Sequence, residues 1–319
     1  MGLGSIVFII YKFQQYQLDT QKAELEFIQN IGVKDFINGV GILVIVLVLM
    51  FLNWYIEMKK WKILIEKIHP VSWKLALQSV LCGVAAGVFT PYRLGSFLGR
   101  VILLPHKKRV IALVLNLLGN IAQFLCMLTF GLIGLIFWLF TSIKPIPSYL
   151  FIIVLSSLVF AIFLVYWFLN ISKFVHLFNY LPVTKKWPRY FLIMQNLETI
   201  SMGKKLLRLS VIRYFVILIQ YLLLFYLFQF PVNIYITAYI LMGIFIIYHF
   251  LPTLNLFELG ATKASIFLLM YEFTGFTNDS DMVVILSLVT FAIWIINLVI
   301  PSLMGSVFLF KAKLLKEKE

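Results

Sequence analysis

Charge is what this sequence has least of: Asp, Glu, Lys and Arg together make up 13% of its residues. A soluble domain carries about 25%, so a water-facing surface of ordinary polarity is excluded. Acidic residues are scarcer still, 13 against 27 basic ones, and they form no cluster suited to a hard divalent cation. There are two cysteines, Cys82 and Cys126, both inside apolar stretches. That excludes a disulfide framework or a thiolate zinc site, and both read as small buried hydrophobes. The four histidines, His69, His106, His176 and His249, are scattered. No His-Glu-x-x-His, phosphate-binding loop or nucleophile elbow occurs. Neither a catalytic residue nor a metal or cofactor is therefore expected, and the chain does not read as an enzyme.

What fills the sequence instead is hydrocarbon. Apolar residues are 62% of the chain, and the mean hydropathy is +0.99. Residues 36–56 carry no charge between Asp35 and Glu57, and a longer uncharged run lies between Arg109 and Lys144. About 20 apolar residues at 1.5 Å each cross a hydrocarbon core of about 30 Å, and the short alternating segments of a barrel are lacking. The expected fold is an all-α membrane protein, a polytopic helical bundle forming one transmembrane domain over 1–319. Residues 2–13 have no basic leader and no clear cleavage site, so they read as a short first membrane helix rather than a signal peptide.

The net charge of +14 does not point to nucleic acid, because the basic residues sit at the ends of apolar runs rather than in a soluble module. They gather at 59–74, at 106–109, in a loop over 171–213, and in the tail from Lys311 to Lys318, whereas 14–35 and 271–281 are acidic or neutral. Placing basic loops in the cytoplasm gives a bacterial inner-membrane protein with a cytoplasmic C-terminus. The loop 171–213, with an amphipathic stretch over 190–209, suits a helix lying on the membrane surface. It could sense anionic lipid or simply set the topology.

The same assignment requires the chain to return to its starting side twice. Residues 75–104 fit two short arms around a tip at Thr90-Pro91-Tyr92-Arg93-Leu94-Gly95, and residues 234–270 fit two more around Leu251-Pro252-Thr253-Leu254-Asn255. The expectation is two re-entrant or broken helical hairpins, one from each face, in an inverted repeat, an arrangement that recurs among transporters.

Ionisable residues at membrane depth cost about 2.5–3.5 kcal/mol on insertion scales and are commonly functional or paired. Arg93, Arg100, Glu258 and Lys263 meet that description as substrate-binding candidates. Arg93 and Glu258 stand at or beside the two tips, where a guanidinium could grip a lipid phosphate or the two could form a structural ion pair. Arg100 follows Arg93 by two helical turns and could extend a basic track or snorkel to the interface; Lys263 has the same ambiguity. Asn116, Asn120 and Gln123 share a helix face and could line a polar pathway or bond to a neighbouring helix.

The stretch Thr90-Pro91-Tyr92-Arg93-Leu94-Gly95-Ser96-Phe97-Leu98-Gly99-Arg100 resembles the P-x-R-x-G-E-x-x-R segment of the lysylphosphatidylglycerol synthase transmembrane, or flippase-like, family. Leu251-Pro252-Thr253 followed by Glu258-Leu259-Gly260-Ala261-Thr262-Lys263 is similar to that family's second motif, and Gly119-Asn120-Ile121-Ala122-Gln123 to a small-residue and Gln segment. Ser96 and Lys263 depart from the Glu and Arg usual there, and the soluble lysyl-transferring domain of bifunctional members is absent. The resemblance implies a flippase-like protein that moves a phospholipid or lipid-linked intermediate between leaflets. The alternative is a non-transporting scaffold that binds a partner enzyme or anionic lipid through the basic loop. The expected partners are the membrane and its lipid, with a second copy of the chain allowed and nucleic acid not expected.

Overall fold

The computed structural model describes residues 33–88, 90, 93–142, 147–170, 199–231, 233–250 and 280–316. Among them there is no strand. The helices are α1 (Val33–Ile65), α2 (Trp73–Val88), α3 (Gly95–Val101), α4 (His106–Ser142), α5 (Ser148–Leu169), α6 (Thr199–Leu227), α7 (Ile234–Phe250), α8 (Ser280–Trp294) and α9 (Ile300–Lys316), with a π-helical turn over Ile295–Val299 joining the last two. Five stretches are long and apolar enough to cross a membrane: Gly39–Ile65, His106–Ser142, Ser148–Leu169, Ser201–Leu227 and Ile285–Lys311. The protein is an all-α, multi-pass bundle.

Two kinds of surface separate in it. Val44, Val48, Phe51 and Tyr55 of α1, and Ile152, Val159, Phe163 and Tyr166 of α5, face outward. Exposed residues of that kind at helical spacing make a lipid-facing stripe. The opposite face of α1, from Val46 through Met50, Trp54 and Trp61 to Ile65, is buried against α6 and α4.

Sequence led us to expect a surface helix over 190–209, and the structure differs for the part it describes. Residues 199–227 form one helix. The reason is a single buried stripe, Met202, Leu206, Ser210, Tyr214, Leu218 and Tyr221, repeating every three to four residues from the basic end into the bundle. A helix whose inward face continues unbroken has no cause to turn onto the membrane surface. Lys204, Lys205 and Arg208 are consequently on the first turns of a spanning helix, and Lys204, Lys205 and Arg208 are all exposed.

Helices α2 and α3 run antiparallel as a tight hairpin, and its closeness depends on glycine. A Cβ at Gly99 would lie 2.5 Å from the Cys82 carbonyl oxygen, and one at Gly87 3.1 Å from Ser96 Cβ. Small residues at such contacts let backbones meet where lipid offers no hydrophobic drive. The turn is fastened by Thr90, whose Oγ1 accepts the Gly95 amide at 2.7 Å and donates to the Ala86 carbonyl at 3.3 Å. Arg93 sits in this turn with φ of 55°, a left-handed conformation uncommon for residues other than glycine. At the base, Arg109 of α4 donates to the Ile102 and Leu104 carbonyls at 2.9 Å each, tying the end of the hairpin to the next helix. On its other side the hairpin meets α9, where Gly305 lies against the Leu81 carbonyl. Helix α7 packs along Gly131 and Gly134 of α4.

Candidate functional site

Among the described residues, the most polar part of the interior is built around one carboxylate, Glu57, which is 3% exposed. Asn53, Glu57 and Lys60 are spaced i, i+4, i+7 on α1 and so share a face. That face turns inward because the flanking Met50, Trp54, Trp61 and Leu64 are buried. Two arginines from different parts of the chain close on Glu57. Arg100, at the end of α3, donates from one terminal nitrogen to Oε1 at 2.6 Å and from the other to Asn116 Oδ1 of α4 at 3.1 Å. Arg213 of α6 donates to Glu57 Oε2 at 2.7 Å and, through Nε, to Asn53 Oδ1 at 2.8 Å. Lys60 Nζ stands 3.6 Å from the same carboxylate and donates to Gln123 Oε1 at 3.4 Å. Each arginine also lies over an indole of α1, Arg100 at 6.0 Å from the Trp61 ring centre and Arg213 at 5.8 Å from that of Trp54.

A chain of amides leads away from this cluster into the bundle. Asn53 Nδ2 donates to Asn297 Oδ1 at 3.1 Å, Asn297 Nδ2 to Gln220 Oε1 at 3.1 Å, and Gln220 Nε2 to the Val46 carbonyl at 3.0 Å. Asn297 lies in the π-helical turn, a local widening that re-aims side chains and is frequent at functional sites. From Glu57 to Val46 is eleven residues of α1, about 16 Å at 1.5 Å per residue. The polar seam is thus about half as long as a 30 Å hydrocarbon core is thick.

The cluster is satisfied unevenly. Among the described residues one carboxylate faces three cations, an excess of two positive charges there. Arg100 Nε, Asn116 Nδ2, Trp61 Nε1 and Trp54 Nε1 are buried donors without a hydrogen-bond partner among the described residues. Most buried polar atoms do have one.

The sequence-derived candidates fall into three groups. Arg100, Asn116 and Gln123 come together in the cluster. Asn120 is half-buried on the same helix, and Arg93 is exposed in the hairpin turn, at the opposite end of α3 from Arg100. Glu258 and Lys263, the second hairpin tip and most of the basic loop lie outside the described residues. Glu57, Lys60 and Arg213 are the residues sequence reasoning missed. They stand at the margins of apolar runs among other charges and so read as loop residues. The signal that could have found two of them is the polar spacing Asn53-Glu57-Lys60, threaded between Trp54 and Trp61. Compared with protein-family models, curated proteins and solved structures, the chain matches none.

Proposed function

We propose that this protein moves an amphiphile with an anionic headgroup, a phospholipid or a lipid-linked intermediate, between the leaflets of a bacterial inner membrane. The observation that carries the reading is the continuity between a buried cluster of three cations on one carboxylate and an amide seam about half as long as the hydrocarbon core is thick. A headgroup leaving water needs its lost hydration replaced. Guanidinium groups supply charge-assisted hydrogen bonds to phosphate, and Asn53, Asn297 and Gln220 supply neutral donors and acceptors beyond them. The transport involves no covalent chemistry in this proposal.

The orientation follows from charge. The ends of α1, α4, α6 and α9 that carry Lys59–Lys62, His106–Arg109, Lys204–Arg208 and Lys311 belong to one side once successive spans alternate. The positive-inside bias assigns that side to the cytoplasm, with the C-terminus. Arg100 and Arg213, the two arginines on Glu57, then receive the headgroup. In proteoliposomes, wild-type protein accelerates exchange of a fluorescent anionic phospholipid between leaflets, followed by quenching of the outer leaflet, and Arg100→Gln reduces the rate about tenfold or more, as expected for a lost charge-assisted contact. Equal rates for wild type and variant would remove Arg100 from the route.

A further inference from the structure

We propose that the Glu57 carboxylate is an internal stand-in for the substrate's headgroup, and that the group it stands in for carries two negative charges: a phosphate monoester or a diphosphate, rather than a phosphodiester. The inference rests on the transport reading above and names the substrate class of the same site.

Two independent features lead there. The first is the charge balance. Lys60, Arg100 and Arg213 converge on Glu57, each within 3.6 Å of it. Glu57 is the one carboxylate buried among the described residues. An uncompensated charge in a medium of low dielectric is strongly unfavourable, so a cluster with two surplus cations among the described residues is suited to receive anionic charge. A phosphodiester brings one negative charge; a terminal phosphate brings about two near neutral pH, and a diphosphate at least as many. The second is the set of spare donors. Asn116 is 1% exposed, and its Nδ2 has no partner among the described residues while its Oδ1 is held by Arg100. Arg100 Nε has none among them either, and Trp61 Nε1 belongs to the indole beneath the same guanidinium. A carboxylate has two oxygens, and both are taken by arginines. A terminal phosphate presents three, so it can keep both guanidinium contacts and still meet a further donor such as Asn116 Nδ2. In the closed arrangement Glu57 holds the arginines in position, and the arriving headgroup takes them over.

The test is lipid binding to the purified full-length chain in detergent, read by native mass spectrometry with titrated phosphatidic acid, phosphatidylglycerol of the same acyl chains, and inorganic pyrophosphate. Phosphatidic acid is expected to bind about tenfold more tightly than phosphatidylglycerol, the step that one extra desolvated ionic contact supplies. Glu57→Gln, which removes the competing carboxylate, tightens phosphatidic acid further. Asn116→Leu, which also removes the acceptor of one Arg100 terminal nitrogen, weakens phosphatidic acid more than phosphatidylglycerol and so narrows the preference. Should Glu57→Gln fail to fold, the double variant Glu57→Gln/Arg213→Gln retains the two surplus charges and is expected to keep the preference for phosphatidic acid. Equal binding of the two lipids, or no tightening in Glu57→Gln, overturns the proposal. So does absence of binding by every probe, which would mean the surplus is met within the chain. Pyrophosphate bound without phosphatidic acid would keep the multiply charged phosphate and overturn the lipid as its carrier. Monoester selectivity without any leaflet exchange would uphold the site and remove the transport reading.

Discussion

At the scale of single residues, the behaviour of Glu57 follows from its having no water to fall back on. Its two oxygens are shared between guanidinium groups on different helices, and removing one member of a buried, hydrogen-bonded set costs about 3–5 kcal/mol because the others are left uncompensated. An exposed pair is worth about 0–1 kcal/mol. The contrast is available within α1 itself. Lys62 bonds to Glu66, which is largely exposed, one turn beyond the cluster. Thermal unfolding in detergent is therefore expected to drop sharply for Glu57→Gln and to change little for Glu66→Gln. Added phosphatidic acid restores part of the loss in the first variant, since a ligand stabilises whatever state it binds. Similar midpoints for both variants would place the Glu57 cluster among ordinary surface pairs.

At the scale of elements, the hairpin of α2 and α3 sets where Arg100 points. A Cβ at Gly83 would lie 2.5 Å from Arg100 Cγ and 2.8 Å from the Ser96 carbonyl oxygen, so the arginine's stem occupies the space a side chain on α2 would need. Gly83→Ala is expected to force the arms apart and loosen the Arg100–Glu57 pair, at a cost of about 1–3 kcal/mol typical of overpacking. Gly41→Ala, whose added carbon meets nothing within 4 Å, is the matched control. Unchanged thermal stability in Gly83→Ala would show that the hairpin has slack the structure does not suggest. This element was partly legible beforehand: the return of the chain between two basic clusters required a reversal near Thr90, and Arg100 and Asn116 stood out as polar residues inside apolar runs. The glycine contacts that make the reversal close, and the inward turn of Glu57 and Arg213, were not legible. They depend on which helices become neighbours, and hydropathy along one chain carries no such information. Helix α6 makes the same point, since its basic first turns read as amphipathic surface helix until the buried stripe from Met202 to Tyr221 is followed into the bundle.

At the scale of the whole molecule, the charges and the spans agree on a single arrangement. With the alternation of spans proposed above, the ends bearing Lys107, Lys204 and Lys311 belong to one side, and Thr141 and Pro231 to the other. Single cysteines at 107, 204 and 311, in a background lacking Cys82 and Cys126, should react with an impermeant maleimide only from the cytoplasmic side, and one at 141 only from the outside. Labelling of 107 and 204 from opposite sides would break the alternation on which the orientation rests. Polytopic helical character was the most legible property of all, because 62% apolar composition leaves lipid as the one environment able to accept it.

The central claim is that the cationic cluster, and not the positive charge of the molecule in general, lies on the route of an anionic headgroup. Two arginines on α6 separate these ideas. Arg213 bonds to Glu57 and Asn53, whereas Arg208, five residues earlier, is exposed at the basic end. The decisive measurement is the rate of leaflet exchange of an anionic phospholipid in proteoliposomes reconstituted with wild type, Arg213→Gln or Arg208→Gln at matched protein density. The prediction is a loss of about tenfold or more for Arg213→Gln, the scale of a buried charge-assisted contact, with Arg208→Gln close to wild type. Equal slowing by both variants, or no slowing by Arg213→Gln, would contradict it.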